Sequence, residues 1–235
     1  MCTVSIVPVA DGCRMVCNRD ERRTRAAAHP PRAFPTEVSR AIYPQDPVSG
    51  GTWIGVNDDG LMVALLNRTA VGTTSRVSPP RSRGSIVPML LAFTSIAEAM
   101  HAYDAIDITQ VEPFRILMAH RSSVAVITGD RAHSHSEVFP LLGPVMFTSS
   151  SLGDAVVETP RLRLFELLVL ADPDWMRGQF RFHRHRWAER PAISVHMARQ
   201  DAITVSRTTI DVTSRDINLH YEPLDDDGST RQPAA

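Results

Sequence analysis

The chain has 235 residues, which is enough for one large domain with a sizeable core. Its 43% hydrophobic and 22% charged residues are typical of a globular protein. The formal net charge of −1 argues against a nucleic-acid partner held by bulk charge, and with no Lys in the chain the 25 Lys and Arg positions are all Arg. No apolar run approaches the roughly 18 residues of a membrane span. We therefore expect a cytoplasmic protein, and the sequence leaves its oligomeric state open.

The N-terminal segment predicts a β-hairpin. Cys2–Ala10 is rich in β-branched residues, Asp11-Gly12 is a two-residue turn signal, and residues 13–18 form the return strand. No basic segment or cleavage site resembling a signal peptide accompanies this apolar start. The hairpin returns the chain to Cys2 with three polar residues, which are Asn18, Arg19 and Asp20.

Cys2 becomes the first residue if Met1 is removed, and it would then carry a thiol and a free α-amine. An α-amine has an ordinary pKa of about 7.7–8.0, so it can act as a base for the thiol next to it. Arg19 would favour the thiolate, and Asp20 could orient the α-ammonium or the substrate. The alternatives are a small buried cysteine at a strand start and an Arg–Asp ion pair that seals the strand end.

The next segments predict a surface loop and a second hairpin. Residues 22–50 are rich in Arg, Ala and Pro and have weak periodicity, so we expect a long loop. Thr52–Asn57 and Leu61–Asn67 flank an Asp-Asp-Gly turn, and the second strand is almost wholly apolar, as in a strand covered on both faces. Another loop is expected over residues 68–82. These two loops are the expected specificity loops.

The rest of the chain predicts helices in two blocks among further strands. The helices are expected over Met89–Phe93, Ile96–Tyr103, Glu158–Ala171 and Trp175–Trp187. The strands are expected over Phe114–His120, Val124–Thr128, Val145–Thr148, Ile193–Met197, Ile203–Val212 and Ile217–Tyr221. Hairpins without βαβ alternation predict an α+β protein of two antiparallel sheets with helices outside. We expect one domain over residues 1–222 and a disordered polar tail over 223–235.

Several motifs together resemble the NRDE family, also called the transport and Golgi organisation 2 family. Met1-Cys2-Thr3 is followed by Asn18-Arg19-Asp20-Glu21, and Gly50-Gly51-Thr52-Trp53-Ile54-Gly55 resembles the family's glycine-tryptophan hairpin. Leu65-Leu66-Asn67-Arg68 and Glu158-Thr159-Pro160-Arg161 resemble two further motifs. Each motif is weak alone, but they occur in family order over roughly the first two-thirds of the chain.

The resemblance implies a four-layer αββα sandwich of the Ntn-hydrolase type, with distant similarity to bile salt hydrolases and penicillin V acylases. It implies that Asn67 donates to an oxyanion, whereas from the residues alone Asn67 could equally cap the following loop. The chain also departs from the pattern. Asn18 stands where the acylases have an Arg, so Arg19 would supply the charge. Asp154 stands where the family usually has an Asn. The candidate binding residues are Asn18, Trp53, Ser150, Asp154 and Arg199.

The sequence therefore leaves two alternative hypotheses for the function. The first is an amidohydrolase with an N-terminal cysteine nucleophile, which would act on a C–N amide bond of a small molecule without a cofactor. The second, implied by family knowledge, is a non-catalytic carrier of haem or lipid on the same fold. His183 and His185 could suggest haem or a metal, but their spacing favours a solvated basic face. Cys13 and Cys17 are better explained as buried thiols than as metal ligands, so no metal site is predicted.

Overall fold

The computed structural model describes residues 1–69 and 82–225, and within them two antiparallel sheets form the centre of the molecule. The first sheet has five strands, which are β1 Cys2–Val9, β2 Gly12–Arg22, β10 Val145–Thr148, β11 Ala202–Thr213 and β12 Ile217–Pro223. Their order across the sheet is β10-β1-β2-β11-β12. β1 and β2 form the predicted hairpin, but its two-residue turn is Ala10-Asp11, one residue earlier than expected, because Val9 pairs with Gly12.

The second sheet has seven strands in sequential order from β3 to β9. Their bounds are β3 His29–Pro35, β4 Arg40–Gln45, β5 Ile54–Asn57, β6 Met62–Asn67, β7 Phe114–His120, β8 Ser123–Gly129 and β9 Ser134–Pro140. The first five residues of β6 are buried, which confirms the prediction of a strand covered on both faces. Gly60 closes the hairpin between β5 and β6 with a φ of 85°, a conformation that favours glycine.

Helices cover the outer face of each sheet. The bounds are α1 Ile86–Leu90, α2 Ile96–Tyr103, α3 Asp154–Phe165 and α4 Trp175–Arg184. Apolar residues of α1 and α2 pack on the seven-stranded sheet, and those of α3 and α4 pack on the five-stranded sheet. A third apolar cluster lies between the two sheets. The fold is therefore the predicted four-layer αββα sandwich, and no described helix is long and apolar enough to span a membrane.

Two local predictions were wrong, and one strand was missed. Residues 22–50 are not one long loop, since they contain β3 and β4. The edge strand β9 was missed because its side chains are mostly exposed and show no apolar alternation. Residues 193–197 are not a strand, since their backbone bonds to a loop instead: the His196 amide donates to the His185 carbonyl over 3.0 Å.

The end of the chain is ordered further than expected. β12 continues to Pro223, and Leu224 is buried, so the first residues assigned to the tail belong to the fold. Residues 226–235 lie outside the described residues, as do residues 70–81 of the second predicted loop.

Candidate active site

Cys2 lies at the floor of a pocket of about 730 Å³ at one end of the sandwich. The β1–β2 register places it directly opposite Arg19, so the two side chains are on the same face of the sheet. Trp53 and Asn67, from the second sheet, line the same pocket. The hairpin and the β6 strand end therefore bring together four of the residues singled out in the sequence.

The Arg19 guanidinium is held between an aromatic ring and a carboxylate. Its Cζ lies 3.9 Å from the ring centroid of Trp53, and its Nη2 donates to Asp46 Oδ2 over 2.5 Å. Glu21 Oε2 is 3.6 Å from the same nitrogen. Stacking and a charge-assisted hydrogen bond fix the guanidinium as a positive wall of the pocket.

Asp46 is a site residue that sequence reasoning missed, because it follows β4 inside the presumed loop. Its carboxylate accepts from Arg19, from Arg25 Nη2 over 2.8 Å, and from the backbone amides of Val48 and Ser49 over 3.0 Å each. Burial raises the pKa of this carboxyl, but the hydrogen bonds from Arg25 and Ser49 and the charge of Arg19 outweigh it and lower the pKa to about 2.

The Asp46→Asn variant is expected to be less stable than the wild type at neutral pH by about 1–2 kcal/mol. The folded-state pKa lies below the unfolded value of about 3.9. The stabilisation is therefore present above pH 4 and is lost as the pH falls towards 2. Urea unfolding at several pH values should show the difference between the two proteins shrinking in that window. The Asp58→Asn variant is the matched control, since Asp58 pairs with Arg40 on the surface and should cost less than about 0.5 kcal/mol.

The Cys2 thiol has a second thiol beside it. Cys17 lies on the same face of the hairpin, diagonally across from Cys2, and both are buried. A hydrogen bond from the Cys17 thiol lowers the pKa of Cys2; burial opposes this, and the nearby N-terminal ammonium and Arg19 act in the same direction as Cys17. The hydrogen bond that the Cys17 thiol donates to Cys2, together with burial, raises the pKa of Cys17 well above its ordinary value. Cys2 is thus the thiol of the pair that ionises first.

The backbone at the N-terminus is held on both sides. The Asp20 amide donates to the Met1 carbonyl over 2.7 Å, and the Met1 ammonium donates to the Asp20 carbonyl over 2.9 Å. The Cys2 amide donates to Ser149 Oγ over 3.3 Å, and the Ser149 amide donates to the Cys2 carbonyl over 3.0 Å. The nitrogen of Cys2 therefore already has a hydroxyl partner, which the sequence did not identify.

Asn18 and Asp20 lie on the opposite face of the hairpin from the pocket. Side chains alternate along a strand, so both neighbours of Arg19 point towards the helical layer. Asn18 Nδ2 donates to the carbonyls of His183 and Val195, over 2.8 and 3.0 Å. The Asp20 carboxylate accepts from Thr204 Oγ1 over 2.6 Å. Burial raises the pKa of Asp20, with the charge of Arg161 opposing it.

The remaining candidates, which are Ser150, Asp154 and Arg199, lie around the turn that follows β10 and do not line the pocket. Asp154 Oδ1 accepts from the Ser150 amide over 3.0 Å, so this carboxylate holds the turn that precedes α3. Arg199 Nη2 donates to Ser151 Oγ over 3.0 Å, and its Nε lies 3.2 Å from Asp201 Oδ1. Ser150, Asp154 and Arg199 therefore stabilise the segment next to Ser149, the residue whose hydroxyl accepts from the Cys2 amide.

His183 is buried rather than solvated, which overturns the predicted basic face at that position. Its ring nitrogens contact Ser5 Oγ at 2.7 Å and Asn18 Oδ1 at 3.2 Å. Burial, followed by the nearby Arg207, lowers its pKa well below the ordinary value. His183 is thus a neutral part of the packing between α4 and the first sheet. Among the described residues, no group of three or more His, Cys, Asp or Glu side chains could hold a metal.

Comparison with known families agrees with the motifs. The family described as Transport and Golgi organisation 2 matches residues 14–164 of the chain. The chain belongs to this family. No curated protein matches the sequence significantly.

Solved structures share the fold of this family member at low sequence identity. The N-acylethanolamine-hydrolyzing acid amidase orthologue of Caenorhabditis elegans is 13% identical, with a TM-score of 0.63 over 88% of this chain and 92% of that one. Penicillin V acylase from Agrobacterium tumefaciens is 9% identical, with a TM-score of 0.54 over 95% and 86%. A mutant conjugated bile acid hydrolase from Clostridium perfringens is 12% identical, with a TM-score of 0.53 over 100% and 97%. The likeness establishes the Ntn-hydrolase-like fold.

In this family member, the last residue of the Glu-Thr-Pro-Arg motif has a clear structural place. Arg161 is 1% exposed and crosses from α3 to the first sheet. It donates to Thr3 Oγ1 over 2.7 Å, to Thr148 Oγ1 over 2.6 Å and to the Ser194 carbonyl over 2.7 Å. The two threonines flank Cys2 and Ser149 in sequence, so Arg161 fixes the strands that carry the pocket floor.

Proposed function

We propose that the protein is an amidohydrolase whose nucleophile is Cys2 after removal of Met1, and that it cleaves a C–N amide bond of a small molecule. The observation that carries this proposal is the placement of Cys2. Its thiol is buried at the floor of the pocket, opposite the fixed Arg19, on the β1–β2 hairpin whose backbone also holds Met1. The fold it shares with amide hydrolases supports the proposal.

The chemistry follows from the groups in the pocket. The Cys2 α-amine accepts the thiol proton, and the sulfur attacks the amide carbonyl to form a tetrahedral intermediate. Asn67 donates its side-chain amide to the developing oxyanion, while Arg19 supplies positive charge. The ammonium then protonates the leaving amine as the C–N bond breaks and a thioester forms. Water, deprotonated by the amine, hydrolyses the thioester and restores the thiol.

The role of the amine depends on one processing step. With Met1 attached, the nitrogen of Cys2 is an amide and cannot accept a proton. Removal of Met1 leaves the same nitrogen as a primary amine, still next to Ser149 Oγ. The haem or lipid carrier stays a prediction, and no contact among the described residues favours it.

The purified wild-type protein is expected to lack Met1 by intact mass and to be labelled at Cys2 by a thiol-directed acyl probe. A variant with a second Met inserted before Cys2 keeps a blocked nitrogen and should lose steady-state hydrolysis. This variant tests the contribution of the free amine separately from that of the thiol, because it retains the Cys2 thiol. Labelling of a Cys2→Ala variant at the wild-type level would overturn the proposal, as would hydrolysis by the blocked protein.

A further inference from the structure

The pocket around Cys2 contains cations that its own carboxylates do not neutralise. Asp46 is bound by Arg19 and Arg25. Glu112 lies 2.5 Å from Arg131 Nη2, and Glu21 lies nearest to Arg19. Each carboxylate in the lining therefore already has an Arg partner.

Arg83 has no such partner. It lines the pocket from a 3₁₀ turn over Arg83–Ser85, and within residues 1–69 and 82–225 no carboxylate lies within ion-pair distance of it. Its Nη1 donates to the Pro113 carbonyl over 2.9 Å. This uses one of the five N–H donors of the guanidinium. Burial lowers the pKa of Arg83, with Glu112 and Glu21 opposing it. An arginine nevertheless remains charged at physiological pH.

The turn that carries Arg83 is fixed against the second sheet. The Thr52 amide donates to the Gly84 carbonyl over 3.1 Å. A Cβ at Gly51 would meet the Gly84 carbonyl carbon at 2.5 Å, so the two backbones touch without room for a side chain. The main chain beside Arg83 is therefore held against the residues that precede Trp53. These contacts fix the position of the Arg83 backbone relative to the pocket.

The cation therefore lies in the pocket, partly desolvated, and most of its donors have no partner among the described residues. A partly buried charge is costly when the nearest carboxylates, Glu21 and Glu112, lie against other arginines, and a bound anion would offset that cost. Arg22 adds a second cation at the mouth, on the exposed end of β2, and it has no ion-pair partner among the described residues. A carboxylate matches the planar fork of an arginine with two parallel hydrogen bonds.

We propose that Arg83 forms an anion-binding subsite in the Cys2 pocket and that the amide substrate carries a carboxylate. This inference rests on the proposed function and names the substrate class for the same site. The pocket volume of about 730 Å³ suits a small organic molecule. Val48, Trp53 and Leu65 offer the rest of such a molecule an apolar wall.

Binding to the inactive Cys2→Ala protein tests the subsite without requiring catalysis. One pair of ligands is N-octanoylglycine and N-octanoylethanolamine, which differ in whether the amine half ends in a carboxylate or a hydroxymethyl group. The second pair is the N-hexyl monoamide of glutaric acid and its methyl ester, which places the carboxylate on the acyl half. We expect calorimetry to show about tenfold tighter binding of the anion in at least one pair, the size of one charge-assisted hydrogen bond.

The Arg83→Gln substitution, made in the Cys2→Ala protein, should abolish that preference. Arg83→Lys should keep part of it, because a point charge lacks the two-pronged geometry. Arg215→Gln is the matched control, since it removes the same charge from an exposed site at the far end of the sandwich. Equal binding within both pairs would overturn the subsite, and so would a preference that Arg83→Gln leaves unchanged. If Arg83→Gln fails to fold, the affinities of the ligand pairs for the Cys2→Ala protein decide the question. The preference for the anion should then weaken as the salt concentration rises, and a preference that salt leaves unchanged would contradict the subsite.

The two proposals can fail separately. Anion-selective binding without hydrolysis by the wild-type protein would retain the subsite and reject the amidohydrolase. Hydrolysis with equal efficiency on neutral and anionic amides would reject the subsite and retain the amidohydrolase.

Discussion

Replacing Cys2 with serine is expected to lower kcat/KM for amide hydrolysis by at least about a thousandfold, with the fold intact. Loss of a catalytic nucleophile removes the covalent route and leaves the contributions of binding and oxyanion stabilisation. Serine nearly matches the volume of cysteine, so the packing at the pocket floor changes little. Its hydroxyl lacks the low pKa that the Cys17 hydrogen bond confers on the Cys2 thiol. Steady-state hydrolysis, with thermal unfolding as the check on folding, measures the effect.

Cys13→Ser is the matched control for that substitution. Cys13, on β2, is a buried thiol like Cys2, but burial raises its pKa to about 12. It lies at the turn end of the hairpin, whereas Cys2 lies at the other end. Its replacement should leave kcat/KM unchanged. Asn67→Ala should slow both acyl labelling of Cys2 and amide hydrolysis without abolishing the labelling, because the oxyanion that Asn67 stabilises forms as the thiolate attacks. Wild-type activity in Cys2→Ser, or equal losses in both serine variants, would contradict the assignment of the nucleophile.

The sequence located the pocket floor because a hairpin has few degrees of freedom. The observed turn at Ala10-Asp11 fixes the register, and the register places Arg19 opposite Cys2. The turn predicted one residue later, at Asp11-Gly12, would have placed Glu21 opposite Cys2 instead. The same rule shows why Asn18 and Asp20 are elsewhere. Side chains alternate along a strand, so residues on either side of Arg19 must face the other way.

Other parts of the site depend on contacts between distant segments, which local patterns do not encode. Asp46 meets Arg19 only because β4 joins the second sheet, and the Pro- and Arg-rich composition around it suggested a loop. Ser149 partners Cys2 through the pairing of β10 with β1 across 147 positions of sequence. Arg83 reaches the pocket through a turn packed on the loop before β5. Each of these residues is polar and unremarkable in its own segment.

Arg161 is expected to be the most important polar residue for stability among those that the motifs single out. The Arg161→Met substitution keeps much of the side-chain volume but removes the donors to the carbonyls of Ile193 and Ser194. Each buried carbonyl left without a partner costs about 1–3 kcal/mol, so a total loss of about 2–4 kcal/mol is expected. The two threonines can retain their mutual contact of 3.0 Å, which limits the loss.

Arg163→Met isolates the effect of burial, because Arg163 lies two residues further along the same helix with its side chain exposed. That control should change the free energy of unfolding by less than about 0.5 kcal/mol in urea titrations. A second readout is the Asp20 carboxyl, whose pKa Arg161 holds down against burial. In Arg161→Met the Asp20 pKa should rise further, detectable by NMR titration. Equal stability losses in both variants, or an unmoved Asp20 pKa, would show that Arg161 does not join the helix to the strands beneath Cys2.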